Sequence, residues 1–448
     1  MEHNELFEKT PVRKLFFKLA IPSMLSHIAG GITEIFEGIF VGSNLGATAL
    51  AAVNLVIPII IISGAVADMI ASGSSVHISI ELGKKNDEKA RGIFTSACIM
   101  IFAVSLLVAG LFLFFIDEII SMMGATGELA RQTKEYALLF AAMAPLSMSY
   151  FAFDDYLRIC GKVKYSMVVN IATSLLTAFL LWLLLGKLHL GLWASGLVYN
   201  GCSVIGAIAS AIPLLSKKLK LYFVKPETDL QLSARIIVSG IPAFTGNVTV
   251  SLIILMTNTL LLKISGELAV AALSVYGYIE SVLRCAVYGM INGVRPAIGY
   301  NYGAHDEKRL ERLVRTLFVG TFITSFSCYI SARLALRPIV GIFCPQNDTA
   351  LMDMTFHASM ICIVSITISW FSASCGMLFT SLNKPVYATV MSFMRTLVFP
   401  AATMYIQAAF WGVDGVWYSF ITCEVLSAVL SGIFLFPAVG SVRKEMAS

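Results

Sequence analysis

Twelve apolar runs of about twenty residues or more, joined by short polar connections, constrain this 448-residue chain more than any other feature. About 20 apolar residues in a helix cross ~30 Å of hydrocarbon. The runs fall at 15–41, 50–72, 92–115, 136–157, 165–186, 191–215, 235–262, 269–300, 314–336, 355–380, 387–409 and 412–437. They lack period-two alternation, which predicts helices and not barrel strands, because a helix satisfies its own backbone groups in lipid. Charged residues make up only 13% of the chain, about half the ~25% share of soluble domains, so an ordinary soluble enzyme is excluded. The expected fold is an all-α polytopic membrane protein with twelve transmembrane helices.

Charge sets the orientation. With the N-terminus inside, 22 Lys and Arg fall in cytoplasmic stretches and six (Arg131, Lys134, Lys187, Lys263, Arg333, Arg337) on the far side. The positive-inside rule therefore predicts a multi-pass protein of the cytoplasmic (inner) membrane with both termini cytoplasmic. The net charge of +5 is scattered between apolar runs, without the basic face that nucleic-acid binding needs. Nine cysteines include no C-x-x-C pair, so neither a disulfide framework nor a zinc site is expected. The first hydrophobic run is too long for a signal peptide's core and should remain as a helix.

The chain also repeats itself. A shift of 220 residues aligns Ile21-Pro22 with Ile241-Pro242, Gly46 with Gly266, 49–53 with 269–273, Gly73 with Gly293 and Gly83 with Gly303. Lys162 and Tyr165 match Lys384 and Tyr387 at 222, and Gly191 matches Gly412 at 221. Two homologous six-helix bundles are expected, at 1–216 and 234–448, with a cytoplasmic linker at 217–233. An even number of helices per half gives the halves the same orientation, a pattern of secondary transporters that work by alternating access.

Several stretches resemble a known family. L-F-F-K-L-A-I-P-S-M-L (15–25), F-E-G-I-F-V-G (36–42) and L-G-A-T-A-L-A-A-V (45–53) are similar to the opening of the multidrug and toxic compound extrusion (MATE) family. Y-G-Y-I-E (276–280), N-G-V-R-P-A-I-G-Y-N-Y-G-A (292–304) and G-V-D-G-V-W (412–417) resemble its bacterial MepA-like branch. The resemblance spans nearly the whole chain and implies the MATE/MOP-type superfold and a cation-coupled exporter of organic, mostly cationic, compounds. There are departures. Glu37 stands where the branch usually has Asp, and the fifth-helix N-x-x-x-D-P becomes Thr177, Leu181 and Trp182. Asn292 and Arg295 replace a Gln-rich turn, and Val250 stands where another branch has Glu.

Ionisable groups inside a membrane cost at least ~2.5 kcal/mol each and are functional candidates by default. Ser23, His27, Gly30, Glu34 and Glu37 recur at steps of four and three, which puts them on one face of the first helix, as if lining a cavity. A carboxylate there is expected to exchange a proton near physiological pH. Protonation of Glu37 or Glu34 that weakens binding of a cation would couple the two fluxes. A sodium ion held by Glu37 with Asn54 or Thr33 is equally allowed. Tyr276, Glu280, Arg284 and Tyr288 recur every fourth residue, so Glu280 and Arg284 can pair. Asp154 and Arg158 have the same spacing, a helix-end salt bridge, with Asp155 beside them. Asp68 and Glu424 read as lone acids at membrane depth, while Asn170, Thr177 and Asn247 belong to polar stripes that glue helices or line a cavity.

The leading reading is an antiporter coupled to H+ or Na+, with no other cofactor, no resident metal, an organic-cation substrate and the bilayer as its surroundings, acting as a monomer. The alternative is a flippase of the same superfold for a lipid-linked or anionic substrate, which Arg284, Arg295 and Arg395 would serve. A membrane enzyme lacks support, since no H-E-x-x-H, G-x-S-x-G or P-loop motif is present.

Overall fold

The computed structural model describes residues 3–122, 124–227, 229–343 and 349–447, and Cys344 lies outside them. The described chain is helical, without strands, as the uninterrupted apolar runs require. The membrane helices are α1 Val12–Leu45, α2 Thr48–Gly83, α3 Asp87–Ser121, α4 Gly127–Ile159, α5 Val163–Lys187 and α6 Leu192–Leu215 in the first half. The second half has α7 Leu230–Ser265, α8 Glu267–Gly303, α9 Glu307–Gly341, α10 Thr349–Ser381 and one continuous stretch, Pro385–Met446. That last stretch is two helices, α11 (385–411) and α12 (413–446), folded back at Gly412 with φ 58° and ψ −132°. Twelve spans result among the described residues. Many exceed 30 residues, longer than hydrocarbon demands, so their ends project beyond it.

The G-V-D-G-V-W stretch explains itself here. Gly412 adopts a backbone conformation open to glycine alone. At Gly415 a Cβ would lie 2.1 Å from the Gln407 carbonyl oxygen, so only glycine lets α12 pass α11 this closely. Trp417 is fully buried in an apolar cluster with Tyr276, Ala358 and Cys362.

The repeat extends to the backbone. Gly46 and Gly266 precede α2 and α8 with φ 83° and 74°. Lys85 and His305, 220 residues apart, follow those helices at φ 62° and 53°, and Gly161 and Asn383, 222 apart, follow α4 and α10 at φ 72° and 52°. Two compact units form: 1–10 with 25–244, and 11–24 with 245–448. The divisions cut α1 and α7 two residues after Pro22 and Pro242, equivalent places in the repeat. In the first unit, Gly73 of α2 and Gly240 of α7 allow backbone contact, since a Cβ on them would lie 2.0 Å from Ile236 O and 1.8 Å from Met69 O. In the second, Gly293 of α8 abuts α1 in the same manner, with Leu19 O 2.6 Å from its would-be Cβ. Small residues at helix crossings are how membrane helices pack without a hydrophobic driving force.

The stretch after α6 is strapped down. Lys220 pairs with Asp87 at 2.5 Å, Arg91 Nε donates to Lys220 O and stacks over Tyr222, Val224 N donates to Thr95 Oγ1, and Ser96 Oγ donates to Glu227 O. All these partners sit on the first turns of α3, which makes the linker a belt on the first unit and not a slack joint.

Candidate functional site

Glu37 lies eight residues before the end of α1 and is buried, 9% exposed. Tyr136 of α4 donates its hydroxyl to Glu37 Oε1 at 3.0 Å, and Ser195 of α6 donates to the same oxygen at 2.8 Å. Both donors are neutral, and among the described residues no basic side chain pairs with this carboxylate. Glu34 shares the face three residues earlier but is exposed, and Tyr199 of α6 lies within electrostatic reach of both acids. α4 and α6 close over Glu37 and leave Glu34 outside, so equal spacing on one helix face produced unequal environments.

Asn54, the proposed sodium ligand, is exposed on α2 and is not among Glu37's hydrogen-bond partners. The Thr33 hydroxyl donates to Ala29 O within α1. His27, Asp68, Asp155 and Asn247 are half-buried on α1, α2, α4 and α7, each engaged with neighbours and none isolated. Asp68 is therefore not the lone acid its sequence context suggests. Among the described residues, no group of three or more His, Cys, Asp or Glu is placed to hold a metal.

A second cluster surrounds Asp154. Arg158 and Ser166 both donate to it, Asn170 Nδ2 donates to its Oδ1 at 2.8 Å, and Tyr150 donates to Asn170 Oδ1 at 2.9 Å. The i, i+4 pair thus forms as its spacing predicts, and Asn170 completes it. Thr177 is buried and donates back to Thr173 O within α5.

A third cluster corrects the sequence reading. Glu424 is not a lone acid: Arg395 Nη2 reaches its Oε1 at 2.9 Å and Arg395 Nε its Oε2 at 3.3 Å, while Ser372 Oγ donates at 3.0 Å. Arg395 Nη1 also donates to Tyr288 OH at 2.6 Å. Arg395 sits in a π-helical turn, 394–398, the kind of widened turn that re-aims a side chain and clusters at functional sites. Paired in this way, Arg395 offers little to an anionic ligand. Glu280 and Arg284 approach to 3.8 Å on α8, and Tyr276 is buried with its ring edge-on to Phe420.

Tyr136 and Ser195 escaped the sequence reading because isolated hydroxyls in apolar helices carry no signal, and they meet Glu37 across 99 and 158 residues. The Arg395–Glu424 pair was legible only as two unconnected charges on different helices.

The comparisons with known proteins agree with this architecture. Multidrug export protein MepA of Staphylococcus aureus (strain bovine RF122 / ET3-1) is 23% identical over 438 residues, 96% of this chain and 95% of that protein. Its counterpart in Staphylococcus saprophyticus is 22% identical over 438 residues, with the same coverage. A crystal structure of MATE in complex with MaL6 superposes with a TM-score of 0.94 at 20% identity, covering 99% of this chain and 100% of the other. An outward-facing multidrug resistance MATE family transporter of the MOP superfamily also gives 0.94, at 19% identity and 99% coverage of each. At these identities the superpositions establish the fold, two lobes of membrane helices. The MatE family model matches residues 22–183 and again 242–406, once in each half of the repeat and over most of the chain, and on that ground this chain belongs to the MatE family.

Proposed function

We propose that this chain is a proton-coupled antiporter that exports organic, mostly cationic, compounds across the cytoplasmic membrane by alternating access, with Glu37 as the coupling residue. One observation carries the reading: Glu37 is a buried carboxylate held by two neutral hydroxyl donors, while two further acids of the membrane helices, Asp154 and Glu424, are neutralised by Arg158 and Arg395. A paired acid cannot change charge without stranding its partner. Glu37 has no such partner, and taking up a proton removes a buried negative charge that attracts a cation to this part of the first half. Proton and cargo then compete, and the inward flow of one drives the other out.

The choice of proton over sodium rests on the oxygens around the carboxylate: the Thr33 hydroxyl is engaged with Ala29 O and Asn54 is not among Glu37's hydrogen-bond partners, whereas a bound cation needs several oxygen ligands directed at it. The relatives' name, multidrug export protein, and the 49 aromatic residues and 19 methionines of the chain support a plastic substrate range. The positive-inside bias supports cytoplasmic termini.

The test is transport of ethidium into or out of proteoliposomes under an imposed pH or sodium gradient, with wild type and Glu37→Gln compared. Wild type should respond to the pH gradient, and Glu37→Gln, still folded, should fall to the rate of empty liposomes. A response to sodium alone would reassign the ion, and unimpaired pH-driven transport by Glu37→Gln would overturn the role of Glu37.

A further inference from the structure

The end of the first unit where α1 runs into α2 and α5 into α6, opposite the linker, holds a cavity of about 340 Å³. Leu45 at the end of α1, Ala49 on α2, and Leu192 and Trp193 at the start of α6 form its apolar side. Arg131, Gln132 and Glu135, on the first turns of α4, form its polar side. Tyr136, four residues after Gln132, and Ser195, three after Leu192, are the two donors to Glu37. The cavity therefore lies about one helical turn outward from that carboxylate.

Three features select an occupant. Gln132 Nε2 donates to Glu128 Oε1 at 2.7 Å; a carboxylate only accepts, so the amide's orientation is fixed. Its Oε1 is buried and, among the described residues, meets no donor, a costly arrangement unless an N–H or O–H is brought to it. Glu128 and Glu135 share Arg131, at 2.6 Å each, so this cluster carries one negative charge more than positive. Trp193 is 41% exposed and supplies the ring on which a cation rests best. The second half does not repeat this chemistry. At the repeat's offsets of 222 and 221, Gln132 becomes Met354, and Glu135 and Trp193 become His357 and Asp414, which bond each other directly at 2.9 Å.

We propose that this cavity is a binding site for protonated amines that keep at least one N–H on the cationic nitrogen, separate from the site around Glu37. The ammonium donates to Gln132 Oε1, its charge answers the surplus carboxylate, and its alkyl or aryl body lies against Leu45, Leu192 and Trp193. A quaternary ammonium has the charge but no hydrogen to give. An anion would have to take Arg131 from two carboxylates that already hold it.

Neither the site nor its test depends on the export reading. The probes are dansylcadaverine, a protonated primary amine, and its N,N,N-trimethyl derivative, and their binding to the purified full-length protein is followed by fluorescence anisotropy. The wild type should bind the amine about tenfold or more tightly than the quaternary compound, the range expected of a hydrogen bond to a charged group. Gln132→Met, close in shape but without the acceptor, should bring the two to equal affinity, and Glu135→Gln should weaken both. Dansyl emission excited through tryptophan locates the probe: Trp193→Phe, which keeps an aromatic ring, should remove more of it than Trp182→Phe does. Equal binding of the two probes by wild type, a preference that survives Gln132→Met, or emission untouched by Trp193→Phe overturns the proposal. Should Gln132→Met fail to fold, unchanged affinities in Glu135→Gln do so instead. Amine preference without gradient-driven transport in liposomes would sink the exporter reading alone, and ethidium antiport without amine preference would sink this one alone.

Discussion

Glu37 and Glu424 show how little a residue's own identity settles inside a membrane. Both are glutamates in apolar helices, yet one meets two hydroxyls and the other a guanidinium. Glu424→Gln should cost stability out of proportion to its size, because it leaves Arg395 charged and unmatched. Breaking a buried pair costs ~3–5 kcal/mol, while replacing both partners by apolar side chains is often neutral. Thermal unfolding in detergent should accordingly show a large fall in Tm for Glu424→Gln and a smaller one for the double variant Glu424→Leu/Arg395→Met; equal falls would mean the pair is not the source. At this scale the sequence exposes the polar stripe of α1 through its period, and the i, i+4 pairs on α4 and α8 through their spacing. The partners Tyr136, Ser195 and Arg395 were hidden, since contacts between distant helices leave no local pattern.

At the scale of helices, glycine marks where backbone geometry governs. Gly412→Ala forces a side chain into a conformation costing ~1–3 kcal/mol and should lower Tm measurably, whereas Gly432→Ala, where a Cβ meets nothing within 4 Å, should leave it unchanged or raise it slightly. Gly240→Val tests the crossing of α2 and α7: with 1.8 Å between a Cβ and Met69 O, the two backbones must separate, and the yield of folded protein should collapse. Normal expression and melting of Gly240→Val would refute that packing. The number and type of helices were readable from apolar length alone. The break at Gly412 was readable too, between the runs 387–409 and 412–437, but not that a single residue with φ 58° and ψ −132° makes the whole turn, which only the backbone dihedrals reveal.

For the whole molecule, the repeat read from aligned motifs reappears as matched φ angles and as two matching family regions. Hydrogen bonds and one cation–π contact bind the stretch after α6 to α3, and such long-range partners are invisible in composition. A reporter fused at either terminus should register as cytoplasmic in intact cells; an external signal from either would contradict the charge asymmetry. The two halves are copies in backbone but not in chemistry. Applying the repeat's own offsets, the positions of Glu37, Tyr136 and Ser195 become Thr257, Ala358 and Val416, all buried and the last two inside an apolar cluster. With Glu37 as the one coupling carboxylate, as proposed, a stoichiometry follows: a single proton entering as one monovalent cation leaves moves no net charge. Such an exchange is electroneutral, indifferent to the membrane potential and driven by acidity alone, whereas a divalent cargo on the same carboxylate would have to work against the voltage.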